Sequence, residues 1–186
     1  MINFRAVSGR LQMQQRHFNW EDEDLLREFE TQRNYRIFEY DTASLRIIMM
    51  NLQYPGDAVI RELFMEKRFR IAMSLAIDRD AMANGVADGK AVAAETMFPP
   101  GFLNCSNVTG YKYDPAAAMV LLAEAGYVDE DGDGIVEKAG DPLRLILQTY
   151  PQRPLLPPML EVVQAMFRDI GVAADVQLVD WTLASQ

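Results

Sequence analysis

The sequence predicts a mixed α/β domain in which a sheet is partly covered by helices, and three observations point there. Apolar runs of strand length stand at Tyr35–Tyr40, Leu45–Leu52, Leu143–Tyr150 and Val172–Asp180. Segments between them carry apolar residues at i, i+3, i+4 and i+7, the period of a helix with one buried face. Capping residues punctuate the ends of those segments. The 186 residues fit a single domain, and an apolar share of 49% is enough to build its core.

Residues 1–34 open with an apolar stretch and a turn at Ser8-Gly9, followed by a helix. Asn19 is placed to cap that helix, Asp22 falls in its first turn, and Leu25, Leu26 and Phe29 give it an apolar side. Tyr35–Tyr40 and Leu45–Leu52 read as two strands joined at Asp41-Thr42. The second, LRIIMMNL, is so uniformly apolar that an inner strand covered on both faces is expected. Pro55-Gly56 marks a break. Asp57 to Val86 reads as two helices with a bend, Asp78 capping the second, with Phe69, Ala72, Met73, Ala76 and Ile77 as the buried stripe. Gly85–Lys112 reads as loop. Asp114 then caps a helix that has Pro115 at its first position, Ala118, Leu121, Leu122 and Ala125 as its stripe, and Gly126 as its stop. After an acidic turn come the strand Leu143–Tyr150 and the loop PQRPLLPP. A helix from about Met159 to Ile170, closed by Gly171, leads to a last strand with Ala174, Val176 and Leu178 on one face.

Composition excludes several functions. A net charge of −9 with scattered basic residues opposes nucleic-acid binding, which draws on clustered Lys and Arg. The densest basic group, Lys67, Arg68 and Arg70, reads as a solvated helix face. One cysteine, Cys105, allows no internal disulfide, and His17 as the only histidine argues against a zinc site, which draws on several Cys or His ligands. No window approaches the ~18 apolar residues of a membrane span, and the first residues lack the apolar core of a signal peptide. No cofactor is called for.

Few motifs carry chemistry. Asp129, Asp131 and Asp133, followed by Gly134, have the alternating spacing of a calcium loop. An EF-hand also needs a bidentate Glu at its twelfth position, where Gly140 stands, and a strand follows instead of a helix. A solvated turn is therefore expected, with calcium the alternative. Gly132-x-Gly134 begins a dinucleotide fingerprint, but Glu137 stands where the third glycine belongs. Gly85–Ala91 is one residue short of a phosphate loop and lacks its hydroxyl. No G-x-S-x-G elbow is present, and His17 would be the only imidazole base for a triad. Catalysis is not expected. The 11 methionines follow helix and strand faces and read as core filling.

Several segments nevertheless resemble, in order, the extracellular solute-binding proteins of family 5. Phe69-Arg70-Ile-Ala72-Met-Ser-Leu-Ala76-Ile77-Asp78-Arg79-Asp80 is similar to the family's R-x-A-x-x-x-A-I-D-R helix. Met49-Met50-Asn51 is similar to its inner strand, and Tyr113-Asp114-Pro115 with Leu121-Leu122-Ala-Glu124-Ala125-Gly126-Tyr127 to its Y-D-P…L-L-x-E-A-G-Y helix. The turn Asp131-Gly-Asp-Gly, then Ile170-Gly171-Val172 and Val179-Asp180-Trp181, complete a likeness over roughly residues 45–181.

The resemblance implies the binding component of an ABC importer, most often for oligopeptides or dipeptides, in which two lobes close around the ligand by a hinge. The chain would be one truncated lobe of that bilobal fold, most of the second. Trp181 matches a tryptophan bordering the ligand pocket, and the strand around Ser44–Met49 matches a pocket-lining segment, so Trp181, Met49 and Ser44 are the candidate ligand-binding residues. A membrane permease and a periplasmic or membrane-anchored extracytoplasmic location are implied too, with the export signal outside these residues. The alternative is a sensor or chaperone-like binding module on the same scaffold. An apolar face left open toward the missing lobe would favour self-association.

Overall fold

A computed structural model of the chain describes residues 2–13, 22–38, 45–97 and 109–180. They fall into two compact units, residues 1–42 and 43–186.

In the first unit, α1 (Ile2–Val7) and α2 (Glu23–Glu30) pack together, with Ala6 and Leu26 buried. The apolar opening is thus a helix, ended at the expected turn, where the Gly9 amide donates to the Ala6 carbonyl at 2.9 Å. Asn19 lies outside the described residues. Asp22 stands at the N-cap of α2 without a side-chain capping bond. The Tyr35 hydroxyl donates to the Leu26 carbonyl, and the Ile37 amide to Glu30 Oε1 at 2.8 Å. These bonds hold the chain after α2 as a brace, and no strand forms over the described part of Tyr35–Tyr40, residues 35–38.

The second unit opens with the largest departure from expectation. Residues 45–52 form no strand, and Ile47, Ile48, Met49 and Leu52 are exposed, Met49 to 86%. An inner strand needs a hydrogen-bonding neighbour on each side and a cover on each face. Among the described residues no strand pairs with this run and only its Met50 packs against the buried cluster, so the run has the composition of a core strand without its surroundings.

Three helices follow where two with a bend were expected: α3 (Ala58–Met65), α4 (Lys67–Leu75) and α5 (Arg79–Gly85). Asp57 caps α3 through Oδ1, accepting from Val59 N at 2.7 Å and Ile60 N at 3.3 Å. The extra break is at Glu66, whose extended backbone (ψ 118°) ends α3 while its carboxylate accepts from Arg68 N and starts α4. Arg70 donates through one nitrogen to the carbonyls of Phe64 and Met65, at 2.8 and 2.7 Å, satisfying the open C-terminus of α3. Asp78 caps α5 as expected, accepting from Ala81 N at 2.8 Å. Arg79, its charge partly desolvated by burial so that its pKa is lowered, donates to the carbonyls of Ser74, Ile77 and Tyr111 and to Ser74 Oγ.

Helix α6 (Pro115–Glu124) forms as its signals require: Asp114 Oδ1 accepts from Ala117 N at 2.9 Å, and Gly126 takes φ +87° after the last turn. The Asp114 amide also donates to the Leu75 carbonyl, tying the start of α6 to the end of α4. Phe69, Ala72, Met73 and Ala76 meet Ala118 and Leu122 in one buried cluster. Burying side chains such as Phe69 and Leu122 stabilises by about 1.5–3 kcal/mol each.

A short hairpin, β1 (Glu137–Lys138) with β2 (Asp141–Pro142), was not expected; Ala139 and Gly140 take the positive φ that a two-residue turn needs. Then β3 (Arg144–Thr149), α7 (Leu156–Arg168) and β4 (Ala173–Leu178) make a βαβ unit, with β3 and β4 parallel from Arg144↔Ala173 to Thr149↔Leu178. Strand β3 alternates as predicted, with Leu145, Leu147 and Thr149 inward. Of the face predicted for β4, Ala174 is buried, but Leu178 at its end is 54% exposed. Helix α7 begins before the expected Met159, because Pro157 and Pro158 fall in its first turn, where no backbone donor is needed. Val163, Phe167 and Ile170 bury against Leu145, Leu147, Val172 and Ala174. Gly171 turns α7 into β4 at φ +82°, and a Cβ there would lie 2.7 Å from Val136 Cγ1.

Candidate functional site

Two places in the second unit collect polar side chains. The first is the carboxyl end of the parallel pair. In open α/β sheets ligands bind outside the carboxyl ends of the strands, where loops diverge and backbone groups are left unpaired. Here the Val179 amide extends the ladder to the Thr149 carbonyl at 2.8 Å. Just beyond, Gln152 Nε2 donates to Asp180 Oδ2 at 3.2 Å, and on the outer face Gln148 Nε2 donates to Gln177 Oε1 at 3.2 Å. The Thr149 side chain is buried at this end. The nearby opening turn of α7 offers no anion site: the Leu156 and Met159 amides are bonded to the carbonyls of Arg153 and Leu155, and the two residues between are prolines.

Of the three candidate ligand residues, only Met49 lies among the described residues. Met49 is exposed on the apolar run, and Ser44 and Trp181 lie outside the described residues.

The second place is the acidic turn. Asp129, Asp131, Asp133 and Glu137 bring one carboxylate oxygen each to within 4.8 Å of one another. Asp129 Oδ1 accepts from Gly132 N at 2.7 Å and its Oδ2 from Gly134 N at 3.1 Å. Asp131 and Asp133 accept from the amides of Asp133 and Ile135. The fourth member was missed by sequence reasoning, which looked for a glutamate only at the twelfth position. Glu137 stands at the ninth, on β1, and its spacing from Asp133 was the available signal.

Neither place assembles a nucleophile, base and oxyanion donor. A parallel βαβ unit stands beside a block of capped helices, with polar side chains at its strand ends. The chain belongs to the bacterial extracellular solute-binding proteins, family 5, whose middle-region pattern matches residues 10–186.

Among its relatives is the oligopeptide-binding protein AppA of Bacillus subtilis (strain 168), 32% identical over 154 residues, which are 77% of this chain and 28% of AppA. The nickel-binding periplasmic protein of Escherichia coli (strain K12) is 33% identical over 115 residues, 61% of this chain and 22% of that protein. In three dimensions the chain is similar to AppA in complex with a nonapeptide, with a TM-score of 0.62 and 31% identity over 67% of this chain and 25% of that one. It is also similar to NikA from Brucella suis in complex with Fe(III)-EDTA, with a TM-score of 0.64 and 26% identity over 73% of this chain and 26% of that one. These relatives are binding proteins, not enzymes, and the chain spans little more than a quarter of the AppA length.

Proposed function

We propose that the chain is part of the extracytoplasmic solute-binding component of an ABC importer, and that its solute is a peptide. The observation that carries this is the likeness to AppA, in sequence over 77% of this chain and in fold over 67% of it. The ligand lies between two lobes, is captured in the open form and stabilises the closed one by touching both. A membrane permease reads the closed shape. Trp181, Met49 and Ser44 border the ligand. Residues of the R-x-A helix do not: Arg70, Asp78 and Arg79 spend their polar groups on helix ends.

The test is calorimetric titration of the full-length protein with a panel of di- to nonapeptides and with nickel chelates. Saturable binding of peptides, weakened about tenfold or more by Trp181→Ala, is the expected result. Binding of chelates alone would turn the assignment to the second reading, metal-chelate carriage, which the likeness to NikA favours. Silence across the panel would remove both and leave a sensor or chaperone-like module.

A further inference from the structure

Helix α6 is apolar on two sides. Its inner stripe, Ala118, Leu121, Leu122 and Ala125, belongs to the core that it shares with α4. A second stripe with the same i, i+3, i+4, i+7 spacing, Ala116, Met119, Val120 and Ala123, runs along the outside. All four of its residues are exposed, Met119 to 47% and Val120 to 57%. Glu124 is the only charged residue of the helix. A surface helix ordinarily turns charged and polar side chains to solvent, and a helix apolar all round is a covered one.

We propose that the outer stripe of α6 pairs with the same stripe of a second copy of the chain, antiparallel, about a two-fold axis between Met119 and Val120. Two properties of the helix select this occupant. First, the stripe is symmetric in size about its middle. An antiparallel copy sets Ala116 against the partner's Ala123 and Met119 against the partner's Val120, so large side chains meet at the centre and alanines let the helices approach at both ends. Second, the two ends of α6 carry opposite charge. Exposed Lys112 and the positive pole of the helix stand at one end, and exposed Glu124 and the negative pole at the other. Antiparallel pairing lays each end beside its opposite. It also gives Glu124, which in a single chain stands at the negative pole of its own helix, the positive pole of the partner's. The contact is small. Four side chains of this size cover less than the ~1,200 Å² of a standard interface, so the dimer is weak, with a Kd of about 0.1–1 mM. This surface is separate from the exposed run Leu45–Leu52, and it makes no use of the solute.

The experiment is sedimentation equilibrium of the 186-residue chain from about 10 μM to about 1 mM. Salt at about 0.15 M screens the repulsion between two chains of net charge −9 beyond about 8 Å. A monomer–dimer equilibrium is expected, weakened about tenfold or more by Met119→Glu and by Val120→Lys and unchanged by Met49→Ser. Met119 and Val120 are exposed, so neither variant opens the core. An equimolar mixture of the two α6 variants should dimerise again, because the two-fold axis places the introduced carboxylate beside the introduced ammonium. A monomer at every concentration would overturn the proposal, as would a dimer that survives Met119→Glu or is lost in Met49→Ser. A mixture that stays monomeric would overturn the antiparallel pairing.

Discussion

Helix α4 and the run Leu45–Leu52 are both rich in large apolar side chains, but their fates are opposite. Phe69, Ala72 and Met73 are sealed, whereas Ile47 and Met49 stand in solvent. In α4 the apolar residues recur on one face, the ends are held by Glu66 and by the Ala76 amide, and the partner helix α6 arrives later in the same unit. The run needs more than it carries, because a strand's backbone groups must be paired by neighbours. A helix satisfies its own hydrogen bonds and needs only a cover. Residues of equal hydrophobicity therefore contribute unequally to stability in this chain.

Substitution is the direct way to break that comparison. Phe69→Ala should cost about 3–5 kcal/mol, read as a lowered midpoint in urea unfolding of the 186-residue chain, while Met49→Ala should stay within about 0.5 kcal/mol. Equal losses would mean that the run is buried in solution. Next in size is Gly171→Ala, where left-handed backbone and the contact with Val136 combine. It should cost about 1–3 kcal/mol by the same measurement. Asp114→Ala removes the cap of α6 and should cost about 1 kcal/mol; Asp114→Asn, which keeps an acceptor, should recover most of it.

The smallest effect is a pH dependence. Burial raises the Tyr127 phenol above its ordinary 10.0. The unfolded chain therefore loses this proton first, so stability is complete below pH 10.0 and declines as pH rises through the folded value. Tyr127→Phe should flatten that decline in denaturation curves taken at successive pH values.

The same distinction explains what was legible in the sequence. Asp78, Asp114, Gly126 and Gly171 act within a few residues of themselves, so their signals specify helix ends without knowledge of the rest of the fold. The stripe Phe69–Ala76 and the alternation in β3 were readable for the same reason. The break at Glu66 was not, since it rests on one extended residue inside an apolar pattern that runs on through it. The expected strands did not form over residues 35–38 and 45–52 because apolar composition records a demand for burial and not the presence of neighbours. At the acidic turn the aspartate spacing was visible, but the burial of Glu137 belongs to β1, a two-residue strand too short to leave a period. For the ligand residues, only Met49 lies among those described, and its exposure is a property of tertiary surroundings.

The parallel pairing of β3 with β4 also bears on how the chain is made. A parallel partner cannot be reached by a tight turn, so among the described residues Leu145 and Leu147 gain their neighbouring strand only once α7 and then β4 have left the ribosome. During synthesis β3 is thus a nascent apolar edge waiting on a later segment, the kind of surface that chaperones shield. Once β4 arrives, α7 and both strands can close together, but a parallel pairing is intrinsically slow to form, which prolongs that exposure.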